Sequence, residues 1–255
     1  MPFTFSHPAI IIPFCPKKFR LSATGLVIGS LAPDFEYFLR MTNESRYSHT
    51  IAGIFFFDLP VGLILTFLWH LVARDAFFDN VVLPLKARVI RFKKVNWTAS
   101  FLDHWMIVFV SIIIGAASHI LWDAFTHDTM YFVQREPELK TVMRLGSINL
   151  AGYRFLQLAS SIIGLVIVIV TIFSLKPVAV ADKTISMKYW LVFFAIALVT
   201  MIVRMFAGLN LWEHRVVLVS CISSVLLALV LTPLVLSLFR KKPDPALTRR
   251  RIHQS

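Results

Sequence analysis

Histidine and aspartate residues fall in three short polar clusters along an otherwise apolar chain. His7 and Asp34 form the first cluster, His49 lies in the second, and His119 and Asp123 lie in the third. Ionisable side chains are costly in or near a bilayer, so their presence there indicates a functional site. Imidazole nitrogens and carboxylate oxygens suit zinc, and also manganese or iron. These five residues are therefore candidate ligands of a divalent metal ion, with zinc as the first choice and manganese as the alternative.

The third cluster has the most informative spacing. His119 and Asp123 are four residues apart on a predicted helix, which places both side chains on one face, as a chelating pair requires. His127 is one further step along and is a candidate additional ligand. The alternative interpretation is that these are polar residues at a membrane interface and at a solvated helix end.

Long apolar blocks must position these clusters. The chain has 255 residues, of which 57% are hydrophobic and only 16% are charged, whereas a soluble domain carries about 25% charged residues. A membrane-spanning helix needs about 20 mostly apolar residues. We therefore predict an all-α, polytopic transmembrane helical bundle with five spans, near residues 50–73, 101–123, 153–175, 189–206 and 216–239.

Two segments lie outside the predicted spans. The apolar stretch from Leu21 to Leu31 is too short to span and is predicted as a re-entrant or interfacial helix that ends before Pro33. Residues 1–239 are predicted to form one transmembrane domain, with the polar clusters in residues 1–130. Residues 240–255 are basic and predicted to be a flexible tail.

Five spans place the N-terminus and the C-terminus on opposite sides of a membrane. All three polar clusters then fall on the N-terminal side, whereas His70, Asp103 and His104 fall on the other side and are excluded from the site. Loops on that other side carry more Lys and Arg, so the positive-inside rule predicts it to be cytoplasmic and the clusters to be external or periplasmic.

The formal net charge of +12 does not indicate nucleic-acid binding, which needs a soluble basic face. The basic residues lie between apolar blocks and at the C-terminus, where contact with anionic lipid headgroups explains them. Asp58 lies within the first predicted span. Its carboxylate either orients a ligand histidine or bonds to a neighbouring helix.

Four stretches of the sequence resemble a known family. They are MPFTFSHPA (1–9), GSLAPDFEY (29–37), YSHT (47–50) and GAASHILWD (115–123). They resemble the bacterial DUF4184 membrane proteins, which are similar to the YdjM-like inner-membrane metal-dependent hydrolases. The resemblance implies a bacterial inner-membrane protein whose metal ligands are His7, Asp34, His49, His119 and Asp123. It departs from the YdjM-like pattern at Glu36 and Tyr37, where the relatives have Asp and His, which puts a second metal in doubt.

Three functions fit these observations. The leading hypothesis is a metal-dependent hydrolase in which a metal-activated water attacks a phosphoester or another ester of a lipid-like substrate, with Asp34 or Glu36 as general base. The second is an ion or metal transporter, although the last three predicted spans contain few polar residues. The third is a structural membrane protein whose polar residues only fix helix packing.

Overall fold

The computed structural model describes residues 3–15, 20–146 and 148–239. Five of its helices are long and apolar enough to cross a membrane, which confirms the predicted all-α bundle and indicates an integral membrane protein. They are referred to below as the first to fifth spans: Ile51–Asn80, Trp97–Asp123, Gly152–Ser174, Met187–Phe206 and His214–Leu238.

The first span is longer than predicted and is irregular. It continues past Arg74 to Asn80 because the Arg74 guanidinium is buried and donates to the carbonyl oxygens of Lys93 and Val95. Hydropathy alone predicts that the first span ends just before Arg74. Two π-helical turns interrupt it, and such turns are frequent at functional sites. Its segments are Ile51–Gly53, the π-turn Ile54–Asp58, Leu59–Leu68, the π-turn Trp69–Ala73, and Arg74–Asn80.

The predicted short helix occupies Ala23–Leu31, referred to below as the short helix. Ser22 caps its start, because the Ser22 hydroxyl accepts from the backbone N–H of Gly25. It ends before Pro33, as predicted, and the chain continues as a 3-10 turn, Ala32–Asp34, and a helix, Phe35–Arg40.

The short helix packs against the middle of the second span at very close range. A Cβ at Gly29 would collide with the backbone of Ile112, and one at Gly115 would collide with the backbone of the short helix. Small residues permit this approach of two backbones inside a membrane. The 3-10 turn Ala32–Asp34 follows the short helix directly. The packing of the short helix therefore fixes where Asp34 lies relative to the second span.

The remaining elements are short. A helix and a 3-10 turn connect the first two spans, and two helices and a β-hairpin connect the second and third. The hairpin was not predicted; it pairs Val142 with Ala151 in antiparallel register. At the N-terminus are the segments Thr4–Ser6, Pro8–Ile11 and Ile12–Phe14. The connecting elements are Leu83–Val89, Ile90–Lys94, Tyr131–Arg135, Pro137–Lys140, Val142–Leu145 and Ile148–Ala151.

The spans differ in how much protein covers them. The fourth and fifth spans pack side by side, and the third packs against the N-terminal turns, where Gly164 meets Ser6. Only 6% of the most apolar window of the third span and 11% of that of the fourth are buried. Such uncovered apolar helices are compatible with lipid as their surroundings. The predicted basic tail, 240–255, lies outside the described residues.

Candidate metal centre

Four separate elements bring the five predicted ligands to one end of the bundle. His7 follows the turn Thr4–Ser6, and Asp34 ends the 3-10 turn after the short helix. His49 lies one residue before Thr50, whose hydroxyl caps the first span by accepting from Gly53 N–H at 2.8 Å. His119 and Asp123 occupy the last turns of the second span. The side chains predicted to lie on one side do lie together.

Two imidazole nitrogens each lie close to the same two carboxylate oxygens. His49 Nε2 lies 3.6 Å from Asp34 Oδ1 and 3.5 Å from Asp123 Oδ2. His119 Nε2 lies 3.5 Å from each of the same two oxygens. These separations are too long for good hydrogen bonds. They match the distance of about 3.4 Å expected between neighbouring donors on a tetrahedral zinc ion with bonds of about 2.1 Å.

The same atoms are buried and lack partners. The side chains of Asp34, His119 and Asp123 are at most 1% exposed, and that of His49 is 8% exposed. Asp34 Oδ1, both oxygens of Asp123 and Nε2 of both histidines have no hydrogen-bond partner among the described residues. Buried unpaired polar atoms are rare and costly, by roughly 1–3 kcal/mol for each group. A cation bound by either group of three donors would remove this cost for the atoms it contacts, so these residues fit a divalent metal.

Hydrogen bonds at Nδ1 hold the imidazoles of His49 and His119 so that their Nε2 atoms face the other donors. His119 Nδ1 donates to the Ser30 carbonyl oxygen at 2.8 Å. His49 Nδ1 lies 3.0 Å from Ser45 Oγ and 2.9 Å from Ser48 Oγ, and the Ser45 hydroxyl, which donates to Glu36 Oε2 at 2.9 Å, is free to accept from His49. His119 therefore carries its proton on Nδ1 and presents a lone pair on Nε2, the tautomer that a metal ligand requires, and the hydroxyls beside His49 Nδ1 are compatible with the same tautomer there.

Asp34 is fixed in a comparable way. Its second oxygen, Oδ2, accepts a short hydrogen bond from the Thr4 hydroxyl. This contact joins the N-terminal turn to the 3-10 turn that carries Asp34. Oδ1 is left facing His49 and His119.

His7 lies at the edge of this group. Its ring stacks on that of His119, with centroids 3.7 Å apart, and its Nε2 lies 3.7 Å from Asp123 Oδ1. Burial, and secondarily the nearby His119, lowers the pKa of His7 to about 3. A neutral imidazole is the form that binds metal. The donors thus form two groups of three that share His119, namely His7, His119 and Asp123, and Asp34, His49 and His119.

His127, the predicted additional ligand, lies beside Asp123. Its Nδ1 is 3.6 Å from Asp123 Oδ2, and its side chain is 20% exposed. It is the most exposed of the imidazoles around the centre. It therefore marks the edge of the site that solvent reaches.

Glu36, predicted as one of two candidate bases, points elsewhere. Its carboxylate accepts from the backbone N–H groups of Arg46, Tyr47 and Ser48 at 2.9–3.0 Å, and from Ser45 Oγ. Burial alone would raise the pKa of Glu36, but these hydrogen bonds outweigh it and lower that pKa to about 2. Glu36 thus holds the loop 45–48, which leads into His49.

Asp58 lies outside both groups of donors. It is fully buried in the π-turn Ile54–Asp58, and neither of its carboxylate oxygens has a hydrogen-bond partner among the described residues. The expected bond to a neighbouring helix is therefore not seen in the described part of the chain.

Sequence reasoning missed the residues that orient the ligands. Ser30 contributes a backbone carbonyl, which no side-chain pattern reveals. Thr4 contributes a hydroxyl whose partner, Asp34, is 30 residues away, and Ser45 contributes a hydroxyl to His49 from an irregular loop, where spacing predicts no contact. Glu36 was singled out, but its role in holding a loop depends on backbone N–H groups and has no sequence signature.

Comparison with known proteins gives a family without an assigned activity. No curated protein and no solved structure matches the chain. One family, described as Domain of unknown function (DUF4184), matches residues 1–234, which include every residue of the metal-ligand groups. The chain therefore belongs to the DUF4184 family.

Proposed function

We propose that this protein is a membrane-embedded, metal-dependent hydrolase of a phosphoester or another ester. The observation that carries the proposal is the convergence of buried donors without partners from His49, His119, Asp34 and Asp123. Histidine and carboxylate donors of this kind, with the second nitrogen of each imidazole held by a hydrogen bond, are typical of zinc sites. A divalent ion bound there would lower the pKa of a coordinated water and so supply hydroxide at neutral pH.

The side chains around the centre have distinct proposed roles. His7, His49, His119 and Asp123 hold the metal. Asp34 also contributes an oxygen and is the better placed of the two candidate bases, because its Oδ1 faces the centre whereas the Glu36 oxygens face the loop 45–48. Glu36 is a positioning residue that acts on His49 through Ser45.

An apolar cleft beside the centre supports a lipid-like substrate. The cleft has a volume of about 430 Å³ and lies between the end of the second span and the third span. Trp122 lines it and also contacts His7 edge-on, with ring centroids 5.4 Å apart. Leu121 and Phe125 line the same cleft and are exposed. An acyl chain in this cleft would bring an ester group close to the metal.

Metal content is the first test. The purified protein is compared with His119→Ala and Asp123→Ala by elemental analysis. His104→Ala is the matched control, because His104 lies in the same span but far from the centre. We expect bound zinc or manganese in the wild type and the control, and less than about one tenth of it in the other two. Equal metal in all four proteins would refute the metal centre.

Activity is tested separately on metal-loaded protein. Synthetic phosphodiesters and fluorescent phospholipid or glycerolipid esters serve as substrates. Activity is measured before and after the metal is removed with a chelator, and again after the metal is added back. We expect turnover that chelation abolishes and that Asp34→Asn lowers by at least about 100-fold. Proteoliposomes that take up the metal but hydrolyse none of these esters would instead support the transporter hypothesis.

A further inference from the structure

A second cavity lies at the opposite end of the bundle and plays no part in the proposed hydrolysis. It has a volume of about 890 Å³ and opens between the start of the short helix, the second half of the first span and the start of the second span. Four basic residues line it, and no Asp or Glu is among its described lining residues. The four are Arg20, His70, Arg74 and His104.

A relay of hydrogen bonds organises the cavity wall. The buried Arg74 donates from Nη1 to His70 Nδ1 at 2.9 Å. Because that nitrogen accepts, the ring proton lies on Nε2, which donates to Thr24 Oγ1 at 3.1 Å. The Thr24 hydroxyl proton remains available for an acceptor, and Thr24 lines the cavity. The wall therefore ends in a hydroxyl donor, at the end of a hydrogen-bonded chain that starts at the ion pair of Arg74 with Asp75, whose Nε and Oδ1 atoms are 2.7 Å apart.

Trp97 provides a second donor in the same wall. It stacks face to face on His70, with centroids 4.3 Å apart and planes at 2°. The residue is only 5% exposed, and its indole Nε1 has no hydrogen-bond partner among the described residues. A buried N–H without an acceptor costs roughly 1–3 kcal/mol. A ligand that brings an acceptor oxygen would remove that cost.

The backbone is irregular where two of the basic residues enter the cavity. Arg20 adopts φ +51°, a left-handed conformation that costs a non-glycine residue about 1–2 kcal/mol. His104 has φ −137° within the otherwise helical second span. Non-glycine residues in the left-handed region cluster at ligand-binding sites. The conformation of Arg20 therefore favours a role for its side chain in binding over chance exposure.

We propose that this cavity binds a phosphate group, carried by an anionic phospholipid. Arg74 is already paired with Asp75 and His70 is neutral. The negative charge is therefore matched by Arg20, which pairs with no carboxylate among the described residues, and the Thr24 and Trp97 donors match the phosphate oxygens. The aromatic rings of Trp69, Trp97 and Phe78 line the cavity, provide apolar walls for the glycerol backbone, and favour a lipid over a free ion. The site stands independently of the metal centre, because the two share no residue.

Thermal unfolding of the full-length protein in neutral detergent tests the proposal. Dioleoylphosphatidylglycerol, dioleoylphosphatidylcholine and inorganic phosphate are added separately, and Tm is followed by circular dichroism. The test variant is the double substitution Arg20→Gln/His104→Gln, whose side chains are exposed, so it is expected to fold. The matched control is Arg154→Gln/His214→Gln, which makes the same chemical changes at the other end of the bundle.

We expect phosphatidylglycerol to raise the Tm of the wild type and the control variant, and phosphatidylcholine to leave both unchanged, because choline cancels the charge. In the test variant, the phosphatidylglycerol concentration needed for the same rise should be about tenfold higher. Equal responses of test variant and wild type, or equal responses to the two lipids, would overturn the proposal. If inorganic phosphate raises Tm as much as phosphatidylglycerol does, the cavity binds phosphate, but the proposal that a phospholipid carries the phosphate is overturned.

Discussion

At the scale of single residues, the hydroxyl of Thr4 offers a sensitive probe of the candidate centre. It donates to the Asp34 oxygen that faces away from the other ligands. Residues that orient ligands in this way contribute about 10–100-fold to metal affinity. We expect Thr4→Val to weaken metal binding by that factor in competition titrations with a chromophoric chelator. Val keeps the shape of Thr, so the fold should be retained.

A matched control for Thr4 lies in the third span. Thr171 is partly exposed, and its hydroxyl donates only to the Ile167 carbonyl of its own helix. Thr171→Val should leave metal affinity within about twofold of wild type, because this bond does not reach the centre. If both variants bind metal as the wild type does, Thr4 does not position Asp34.

Glu36 is the residue whose expected and observed positions differ most. Its carboxylate collects three backbone N–H groups of the loop 45–48 and the hydroxyl of Ser45. Glu36→Gln keeps the shape of the side chain but replaces one oxygen by an NH₂ group. This group would face the backbone N–H groups of the loop, so two donors would oppose each other without an acceptor. We expect a loss of stability of about 1–3 kcal/mol and a weaker metal site. Thermal unfolding and metal titration at neutral pH measure the two effects.

Glu44→Gln is the control for Glu36. Glu44 is 68% exposed and, among the described residues, pairs only with Arg46, so its loss should change neither Tm nor metal affinity appreciably. A Glu36→Gln variant that keeps wild-type stability and metal affinity but loses hydrolysis would restore Glu36 as the catalytic base. Loss of both stability and affinity supports its role in holding the loop.

At the scale of elements, the spacing between the short helix and the second span determines whether the donors can meet. Gly115 lies where a Cβ would strike the backbone of the short helix. Gly115→Ala should force the two helices apart and move Asp34 and Ser30 away from His119. We expect about 1–3 kcal/mol lower stability together with a large loss of bound metal.

Ala117→Val is the control for this helix contact. Ala117 lies two residues along the same span and is exposed, so the added methyl groups meet no packed backbone. It should retain both stability and metal. Normal metal content in Gly115→Ala would show that the site tolerates a wider helix spacing, and the close contact would then have no role in the site.

The elements also show how far a sequence specifies this fold. Lipid requires about 20 apolar residues for each span, so hydropathy identified all five spans, and Pro33 identified the end of the short helix. Hydropathy could not show that the first span continues past Arg74, because the Arg74 guanidinium pairs with Asp75 and donates to carbonyl oxygens that are distant in sequence. The i, i+4 spacing predicted the His119 and Asp123 pair, since helix geometry is local. The contacts from Ser30 and Thr4 depend on packing, which carries no local pattern.

At the scale of the whole molecule, the distribution of charge between the two ends predicts orientation. Loops 81–96 and 175–186 together carry seven Lys and Arg residues, whereas residues 35–50 and loops 124–151 and 207–213 at the metal-site end carry five. Positive loops remain in the cytoplasm. The proposed phosphate cavity lies at the more basic end, where anionic lipid of the cytoplasmic leaflet would meet it. We therefore predict that the metal centre faces the external or periplasmic side of a bacterial inner membrane.

Reporter fusions in a bacterial host test this orientation. Alkaline phosphatase folds only outside the cytoplasm, so its insertion into loop 124–151 should be active and its insertion into loop 175–186 inactive. A fluorescent protein that matures only in the cytoplasm, fused after residue 239, should fluoresce. The reverse pattern in all three fusions would place the metal centre in the cytoplasm and overturn the orientation. Because the third span alone separates the two loops, activity of both phosphatase insertions would instead show that this span does not cross the membrane and would contradict the number of spans.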